Sequence, residues 1–236
     1  MRLVSYNIHK GIGGRDRRYR LERIVAVLER EQADLFCLQE VDRGVRRSAF
    51  DNQPKILGDY FAAAGRFYQK NVFLKSGGYG NLILSRWPLK ARHRVSLRFN
   101  RKKPRGAQVV VVETPEGPLH LINWHLGLAE RERHWQVRHL LGSGIFRQFA
   151  HLPTMIAGDF NDWRNTLAAG PFAEHRFEQV TAPISRFRSF PAYLPMGSLD
   201  KAFTRGLHVG HVRVPDTQDA KTASDHRPLV IDFRLH

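Results

Sequence analysis

The 236-residue chain contains a single cysteine, Cys37. One cysteine excludes an internal disulfide, and because Cys37 lies in an apolar run we expect it to be a buried core thiol. No apolar run reaches the roughly 20 residues that a membrane-spanning helix needs, and the N-terminus lacks the apolar segment of a secretory signal. We therefore expect a cytoplasmic protein without stable membrane insertion.

Acidic side chains are scarce relative to basic ones. The chain has 22 Asp and Glu against 38 Lys and Arg, which gives a net charge of +16. A field of this sign attracts phosphate-containing polyanions such as DNA, RNA or anionic phospholipid headgroups. A genome of high GC content also enriches proteins in arginine without any such partner. The charge alone therefore leaves both interpretations open.

Linkers, tandem repeats and low-complexity segments are also absent, and the length suits a single domain over residues 1–236. Strands predicted at 2–8 and 34–38 flank an amphipathic helix predicted at 20–31. This order indicates a βαβ unit and an α/β fold. Nothing in the sequence identifies an oligomer, and a monomer is favoured.

The remaining pattern alternates between strands and two further helices. Strands are predicted at 66–74, 79–85, 92–99, 107–114, 119–124, 154–157, 198–203, 207–214 and 230–235, and helices at 52–64 and 130–150. The segment from Arg164 to Pro195 is rich in Pro, Phe and Arg and is predicted to be a long surface loop with short helical turns. Loops of this length are often functional, so we expect it to border the cleft and to influence specificity.

One short stretch combines a strand end with two polar side chains. The apolar run 154–157 stops at Gly158, and Asp159 and Asn161 follow at alternate positions. In extended geometry both side chains leave the strand on the same side. Such a pair can orient a water and hold a phosphate or a cation, although an Asp-Asn turn is the simpler interpretation of these residues alone.

Four other polar sites, Asn7, Glu40, His125 and the pair Asp225-His226, lie next to predicted strands. In open α/β folds the strand ends meet at a shared crevice, which would bring these side chains together. Each has a simpler explanation as a cap or a turn. Together they provide oxygen ligands, imidazoles and amides, a set suited to phosphoryl transfer with a divalent metal.

Seven blocks in this order resemble the motifs of the endonuclease/exonuclease/phosphatase superfamily. The blocks are Ser5-Tyr6-Asn7-Ile8, Leu38-Gln39-Glu40-Val41, Gly80-Asn81-Leu82-Ile83-Leu84-Ser85, Trp124-His125-Leu126, Gly158-Asp159-Phe160-Asn161, Leu199-Asp200 and Ser224-Asp225-His226-Arg227-Pro228-Leu229. The resemblance runs from residue 3 to residue 234. It implies a four-layered α/β sandwich, with two mixed sheets packed face to face and helices on the outside.

The resemblance also implies hydrolysis of a phosphoester with Mg²⁺ or Mn²⁺. It assigns Glu40 as the principal metal ligand, with Asn7 and Asp225 beside it. Asp159 would orient or deprotonate the attacking water, and Asn161 would hold a phosphate oxygen.

The same resemblance assigns two histidines to the site. His226 would contact the phosphate while Asp200 fixes its ring, and His125 would be the second active-site histidine. The sequence identifies no acidic partner for His125. Asn81 is predicted to lie near His125 and to bind substrate.

The histidine at position 125 narrows the branch of the superfamily. Apurinic-site endonucleases usually carry a tyrosine there, whereas the histidine form resembles deoxyribonucleases, sphingomyelinases and inositol-phosphate phosphatases. The complete set of site residues together with the net charge of +16 slightly favours nucleic acid as substrate over phospholipid or a phosphomonoester, and a non-catalytic polyanion-binding protein is a third possibility. Zinc is disfavoured, since the twelve histidines include no close ligand pair of the usual type.

Overall fold

The computed structural model describes residues 1–235. Its strands are β1 (Arg2–Asn7), β2 (Leu35–Arg43), β3 (Gly65–Phe73), β4 (Gly78–Ser85), β5 (Leu89–Ser96), β6 (Gly106–Thr114), β7 (Gly117–His125), β8 (Thr154–Asp159), β9 (Glu178–Gln179), β10 (Asp200–Arg205), β11 (His208–Arg213) and β12 (Leu229–Arg234). Its α-helices are α1 (Leu21–Glu31), α2 (Gln53–Tyr60), α3 (Glu130–Leu141), α4 (Gly144–Gln148) and α5 (Gln218–Thr222). None of these helices is long and apolar enough to cross a membrane.

The strands form two six-stranded mixed sheets. The first has the order β11-β12-β1-β2-β4-β3, and the second has the order β5-β6-β7-β8-β10-β9. In the first sheet β1 and β2 are parallel, with α1 between them in the chain, which confirms the predicted βαβ unit. In the second sheet β7 and β8 are parallel and follow the same logic, with α3 and α4 in the crossover.

Apolar side chains from the two sheets meet in a central core. Leu3 and Leu35 of the first sheet belong to the same buried cluster as Val110 and Met155 of the second. Cys37 lies in this cluster too, which confirms the prediction of a buried thiol. Each fully buried aliphatic side chain of this kind contributes about 1.5–3 kcal/mol of transfer free energy.

Helices cover the outer faces of both sheets. Ile24 and Leu28 of α1 pack on the first sheet, and Leu140 of α3 and Phe146 of α4 pack with Trp124 on the second. The predicted four-layered sandwich of two face-to-face sheets with outer helices is therefore confirmed.

The prediction of a single helix at 130–150 is wrong, because this segment forms two helices, α3 and α4. Gly142 ends α3, and Ser143 adopts an extended backbone with ψ 149°. The Ser143 hydroxyl then accepts the N–H of Phe146 at 3.2 Å, so it caps the start of α4.

The segment from Arg164 to Pro195 is irregular as predicted, but it is not confined to the surface. Phe172 and Phe177 are buried, and the Phe172 ring stacks on Phe203 of β10 with the ring centroids 3.8 Å apart. The aromatic side chains that made this segment look unusual therefore anchor it to the second sheet.

Side-chain amides connect the two sheets beside the central core. Gln39 of β2 donates to Asn123 of β7 at 2.8 Å, and the Asn123 amide donates to the Leu38 carbonyl at 3.1 Å and to Gln108 of β6 at 2.9 Å. Asn81 of β4 donates to the carbonyl of Gly106, the first residue of β6, at 3.0 Å. These bonds fix how one sheet lies over the other.

His120 makes the stability of the fold depend on pH. It lies against the rings of Phe146 and Phe149, and burial lowers its pKa to about 3. In the unfolded chain the pKa is about 6.5, so the unfolded state takes up the proton first as the pH falls. The stability that His120 contributes is therefore present above pH 6.5 and is lost below it, by about 2 kcal/mol between pH 7 and pH 5.

We predict that His120→Gln, which cannot titrate but can still hydrogen-bond to Thr154, loses about 2 kcal/mol less than the wild type over this interval. Urea denaturation at pH 7 and pH 5 measures both losses. Equal losses in the two proteins would contradict the assignment to His120.

Candidate active site

The ends of β1, β7 and β8 and a kink in β2 open into one cavity of about 370 Å³. Among the residues that line it are Asn7, Glu40, His125, Asp159, Asn161, Asp225 and His226. The structure thus brings together seven of the nine residues that the sequence singled out. The other two, Asn81 and Asp200, lie outside the cavity lining.

Asp159, the last residue of β8, is at the centre of this group. Its side chain is 1% exposed, and Asn7 of the first sheet donates to its Oδ2 at 3.0 Å. The backbone N–H of Asn161 donates to its Oδ1 at 3.0 Å, a turn that requires the positive φ of 52° at Asn161. Burial raises the pKa of Asp159 to about 6, although the positive charge of His226 opposes this shift.

His226 is held from behind by Asp200. Its Nδ1 donates to Asp200 Oδ2 at 2.8 Å, and Ser189 donates to the same oxygen at 2.5 Å. Burial alone would lower the pKa of His226, but the charges of Asp200 and Asp159 outweigh it and raise the pKa to about 10. His226 is therefore an imidazolium at neutral pH, with its Nε2 3.7 Å from Asp159 Oδ2.

His125 has the opposite charge state. Burial, followed by the positive charge of Arg105, lowers its pKa well below the usual value, so the ring is neutral. Its Nε2 lies 3.3 Å from Asp159 Oδ2. The sequence identified no acidic partner for His125, and the structure places Asp159 in that position.

Glu40 reaches the cavity because β2 contains a bulge. Leu38 pairs with Leu82 and Val41 pairs with Gly80, so Gln39 and Glu40 together oppose one residue of β4. Glu40 has a φ of 55°, a left-handed conformation that is uncommon for glutamate. A bulge of this kind changes the direction of a side chain, and here it places the carboxylate among the lining residues rather than after the end of the strand as predicted.

A basic side chain meets the Glu40 carboxylate. Lys10 forms an ion pair with Glu40 from a tight turn in which His9, Lys10 and Gly11 have φ values of 44°, 64° and 74°. Burial by itself would raise the pKa of Glu40, but the charge and the hydrogen bond of Lys10, together with smaller contributions from the neighbouring histidines, outweigh it and hold the pKa below its usual range.

Asn81 is placed differently from the prediction that it binds substrate. Its amide donates to the carbonyl of Gly106, opposite the bulge that carries Glu40, and so it joins the two sheets. It does not line the cavity, because this bond turns its side chain toward β6. Its role in the described structure is to fix the backbone on both sides of the cavity.

Three basic residues that the sequence did not single out individually also line the cavity: Lys102, Lys103 and Arg105. They belong to the loop before β6, where residues 101–105 form a basic run in the sequence. The spacing of the run gave no indication of which cations face inward.

Ser189 was missed for a different reason, since nothing near it in the sequence links it to Asp200.

A model of the Endonuclease/Exonuclease/phosphatase family matches residues 4–226. The chain belongs to this family. It is 26% identical over 244 residues to the uncharacterized protein YbhP of Escherichia coli (strain K12), a match that covers 99% of this chain and 96% of that protein.

Two solved structures share the fold of this chain. The endonuclease/exonuclease/phosphatase from Beutenbergia cavernae DSM 12333 has a TM-score of 0.80 at 23% identity and covers 100% of this chain and 71% of its own. The mannosyl-6-phosphatase Bt3783 of Bacteroides thetaiotaomicron VPI-5482 has a TM-score of 0.72 at 15% identity, with 99% of each chain covered. Family membership supports phosphoester hydrolysis, and the family is generally dependent on a divalent metal.

The residues of the cavity fit such a metal. Glu40 and Asp225 provide carboxylates and Asn7 provides an amide oxygen, which are the hard ligands that Mg²⁺ and Mn²⁺ prefer. The Lys10 ammonium forms an ion pair with Glu40, so this position of the cavity already accommodates a positive charge.

Among the described residues 1–235, the one group of three Asp, Glu, His or Cys side chains whose ligand atoms all lie within 4.8 Å of one another consists of Asp159, Asp200 and His226, and it does not include Glu40 or Asp225. The hydrogen bond between His226 and Asp200 already uses one ring nitrogen and one carboxylate oxygen of this group. We therefore assign this group to positioning the histidine rather than to holding the metal.

We predict that Asp200→Asn lowers the pKa of His226, because it removes the largest of the charges that raise it. Titration of the ring by ¹H–¹⁵N NMR in EDTA measures this directly, and turnover should fall about 10–100-fold. Ser189→Ala, which keeps the Asp200 carboxylate, is the matched control and should leave the pKa of His226 raised. An unchanged pKa in Asp200→Asn would contradict the assignment.

Proposed function

We propose that this protein is a divalent-metal-dependent phosphodiesterase whose substrate is a nucleic acid. The observation that carries the proposal is the buried Asp159 carboxylate, which lies 3.3 Å from the neutral His125 and 3.7 Å from the protonated His226. A carboxylate with a pKa of about 6 is ionised at neutral pH and is still basic enough to accept a proton.

In the proposed reaction Asp159 holds a water by one carboxylate oxygen and accepts its proton as the oxygen attacks phosphorus. The bond from phosphorus to the leaving oxygen breaks in line with this attack, and the leaving oxygen keeps the bonding electrons and takes a proton from solvent to give the alcohol. His226, fixed by Asp200, donates its Nε2 hydrogen to a phosphate oxygen, whose negative charge grows in the transition state. Asn161 also lines the cavity. Its amide donates one hydrogen to the Leu126 carbonyl at 3.0 Å, and the other would be donated to a second phosphate oxygen.

Glu40, with Asn7 and Asp225, would hold Mg²⁺ or Mn²⁺. A bound divalent cation supplies charge neutralisation at the phosphate oxygens, which otherwise repel the nucleophile. For the protein itself the requirement is a carboxylate that stays ionised when buried, and the lowered pKa of Glu40 meets it.

Charge favours a polyanionic substrate. Four basic side chains line the cavity, Lys10, Lys102, Lys103 and Arg105, in a chain of net charge +16. A phosphodiester backbone offers such a surface repeated phosphates, and binding should weaken steeply as the salt concentration rises.

A phosphomonoester is the second candidate substrate. The observation that favours it is the structural similarity to the mannosyl-6-phosphatase Bt3783. Release of inorganic phosphate separates the two candidates, because a phosphodiesterase leaves the phosphate esterified on one product.

An activity panel tests the choice. Purified protein with Mg²⁺ or Mn²⁺ is incubated with DNA, RNA, phospholipids and inositol phosphates, and EDTA serves as the blank. We expect cleavage of nucleic acid that EDTA abolishes. A folded protein that cleaves no phosphoester under any of these conditions would overturn the proposal.

We predict that Asp159→Ala and His226→Ala each abolish turnover without unfolding the protein. Asp159→Ala removes the group that accepts the proton, which should cost at least about 10²–10⁴-fold. Circular dichroism and thermal unfolding report whether each variant is folded, and Asp159→Asn provides a control that keeps the shape of the side chain. Near-wild-type rates in either alanine variant would overturn the role of that residue.

We also predict that Glu40→Gln weakens binding of Mn²⁺, since it removes the carboxylate charge while preserving size. Electron paramagnetic resonance counts free Mn²⁺ during a titration and does not depend on turnover. Glu116→Gln, at a carboxylate outside the cavity lining, serves as the matched control. Equal Mn²⁺ affinity in the wild type and Glu40→Gln would contradict the assignment of Glu40.

A further inference from the structure

Arg105 is a buried cation for which residues 1–235 provide no side-chain hydrogen bond or ion pair. It is 7% exposed, it lines the cavity, and its Nε is fully buried without a hydrogen-bond acceptor. The two other buried arginines have partners. Arg133 pairs with Asp162 at 3.7 Å and donates to a backbone carbonyl, and Arg227 pairs with Asp216 at 2.7 Å.

An unpaired buried guanidinium is unfavourable, because arginine cannot lose its proton to escape the cost of desolvation. The planar group presents several N–H donors in a geometry that matches phosphate. The cavity wall at Arg105 is therefore built for an anion.

Along the second sheet, the backbone of Arg105 lies on the opposite side of Asp159 from Asp200, the residue that holds His226. Along the second sheet, Arg105 precedes β6, His125 ends β7, Asp159 ends β8, and Asp200 begins β10 behind His226. Neighbouring strands are about 4.8 Å apart, so β6 is about 10 Å from β8 and about 14 Å from β10. At the level of the backbone, this separation exceeds the size of a single phosphate group.

The backbone that carries Arg105 is held on both sides. Its own carbonyl accepts the N–H of Leu97 at 2.9 Å, and the next carbonyl, that of Gly106, accepts the amide of Asn81 at 3.0 Å. A guanidinium presented from a fixed backbone loses less entropy when it binds. Lys102 and Lys103 of the same loop line the adjoining wall and add positive charge.

We propose that Arg105 binds a second phosphate of the substrate, beside the phosphate that reacts at Asp159 and His226. This inference rests on the proposed phosphoesterase function and narrows its substrate class to phosphoesters with a second phosphate nearby. Successive phosphates of a nucleic-acid strand and the phosphates of a bisphosphorylated headgroup share this chemistry.

Calorimetric titration in EDTA, where the metal-dependent reaction does not occur, tests the inference. The probes are thymidine 3′,5′-bisphosphate for nucleic acid and inositol 1,4-bisphosphate for a headgroup, each compared with a corresponding monophosphate. We expect at least one bisphosphate to bind the wild type at least about tenfold more tightly than its monophosphate, and Arg105→Gln to remove most of that gain. A hydrogen bond to a charged group is worth about 1.5–3 kcal/mol, or about 10–100-fold.

Arg101→Gln is the matched control, since Arg101 is exposed in the same loop, does not line the cavity and carries the same charge. This variant should keep the gain. Arg105→Lys keeps the charge but lacks the planar guanidinium, and it should retain part of the gain in affinity for the bisphosphate. Because Arg105 has no protein partner, Arg105→Gln should unfold at no lower a temperature than the wild type in the absence of ligand.

The inference is overturned if neither bisphosphate binds more tightly than its monophosphate, or if Arg105→Gln keeps the gain. It is also overturned if Arg105→Gln weakens monophosphates and bisphosphates equally, since Arg105 would then serve one phosphate site. Failure of the proposed function is a separate result: it appears as absent hydrolysis in the activity panel, whatever the binding data show.

Discussion

Hydrogen bonds from side-chain amides across the two sheets are the constraint on which the site depends. Apolar packing between sheets is not directional and would tolerate sliding. Hydrogen bonds do not tolerate sliding, because each needs its partner at hydrogen-bond distance. Three of them join the sheets here: from Asn7 to Asp159, from Gln39 to Asn123 and from Asn81 to Gly106. Breaking one leaves a buried polar group unpaired, at a cost of about 1–3 kcal/mol. They therefore set where Glu40 of one sheet lies relative to the Asp159 carboxylate of the other.

Burial then determines the charge of each group in the cavity. His125 and His226 are both buried, but Asp200 lies directly behind His226, whereas Arg105 faces His125. One ring is therefore an imidazolium and the other is neutral, with Asp159 between them. Two titratable groups of the same type with opposite charge states are typical of sites in which acid and base roles are separated.

Residues at strand ends were predictable because the period of the strand and the change to polar residues are local features of the sequence. Asp159 follows directly from the run that forms β8, and the order of the motifs identified Asp200 and His226. The bulge at Glu40 was not predictable, since it depends on the pairing of β2 with β4. Arg105 could not be distinguished from its basic neighbours, because only the fold decides which of them is buried.

The central claim is that water near Asp159 attacks phosphorus in this cavity. Hydrolysis of bis(p-nitrophenyl) phosphate in H₂¹⁸O with Mn²⁺, followed by mass spectrometry, tests it most directly. If water attacks phosphorus, we expect one ¹⁸O atom in the p-nitrophenyl phosphate product and none in p-nitrophenol. Label in p-nitrophenol would place the attack on carbon and would contradict this proposal. Formation of labelled p-nitrophenyl phosphate by Asp159→Asn at the wild-type rate would also contradict it.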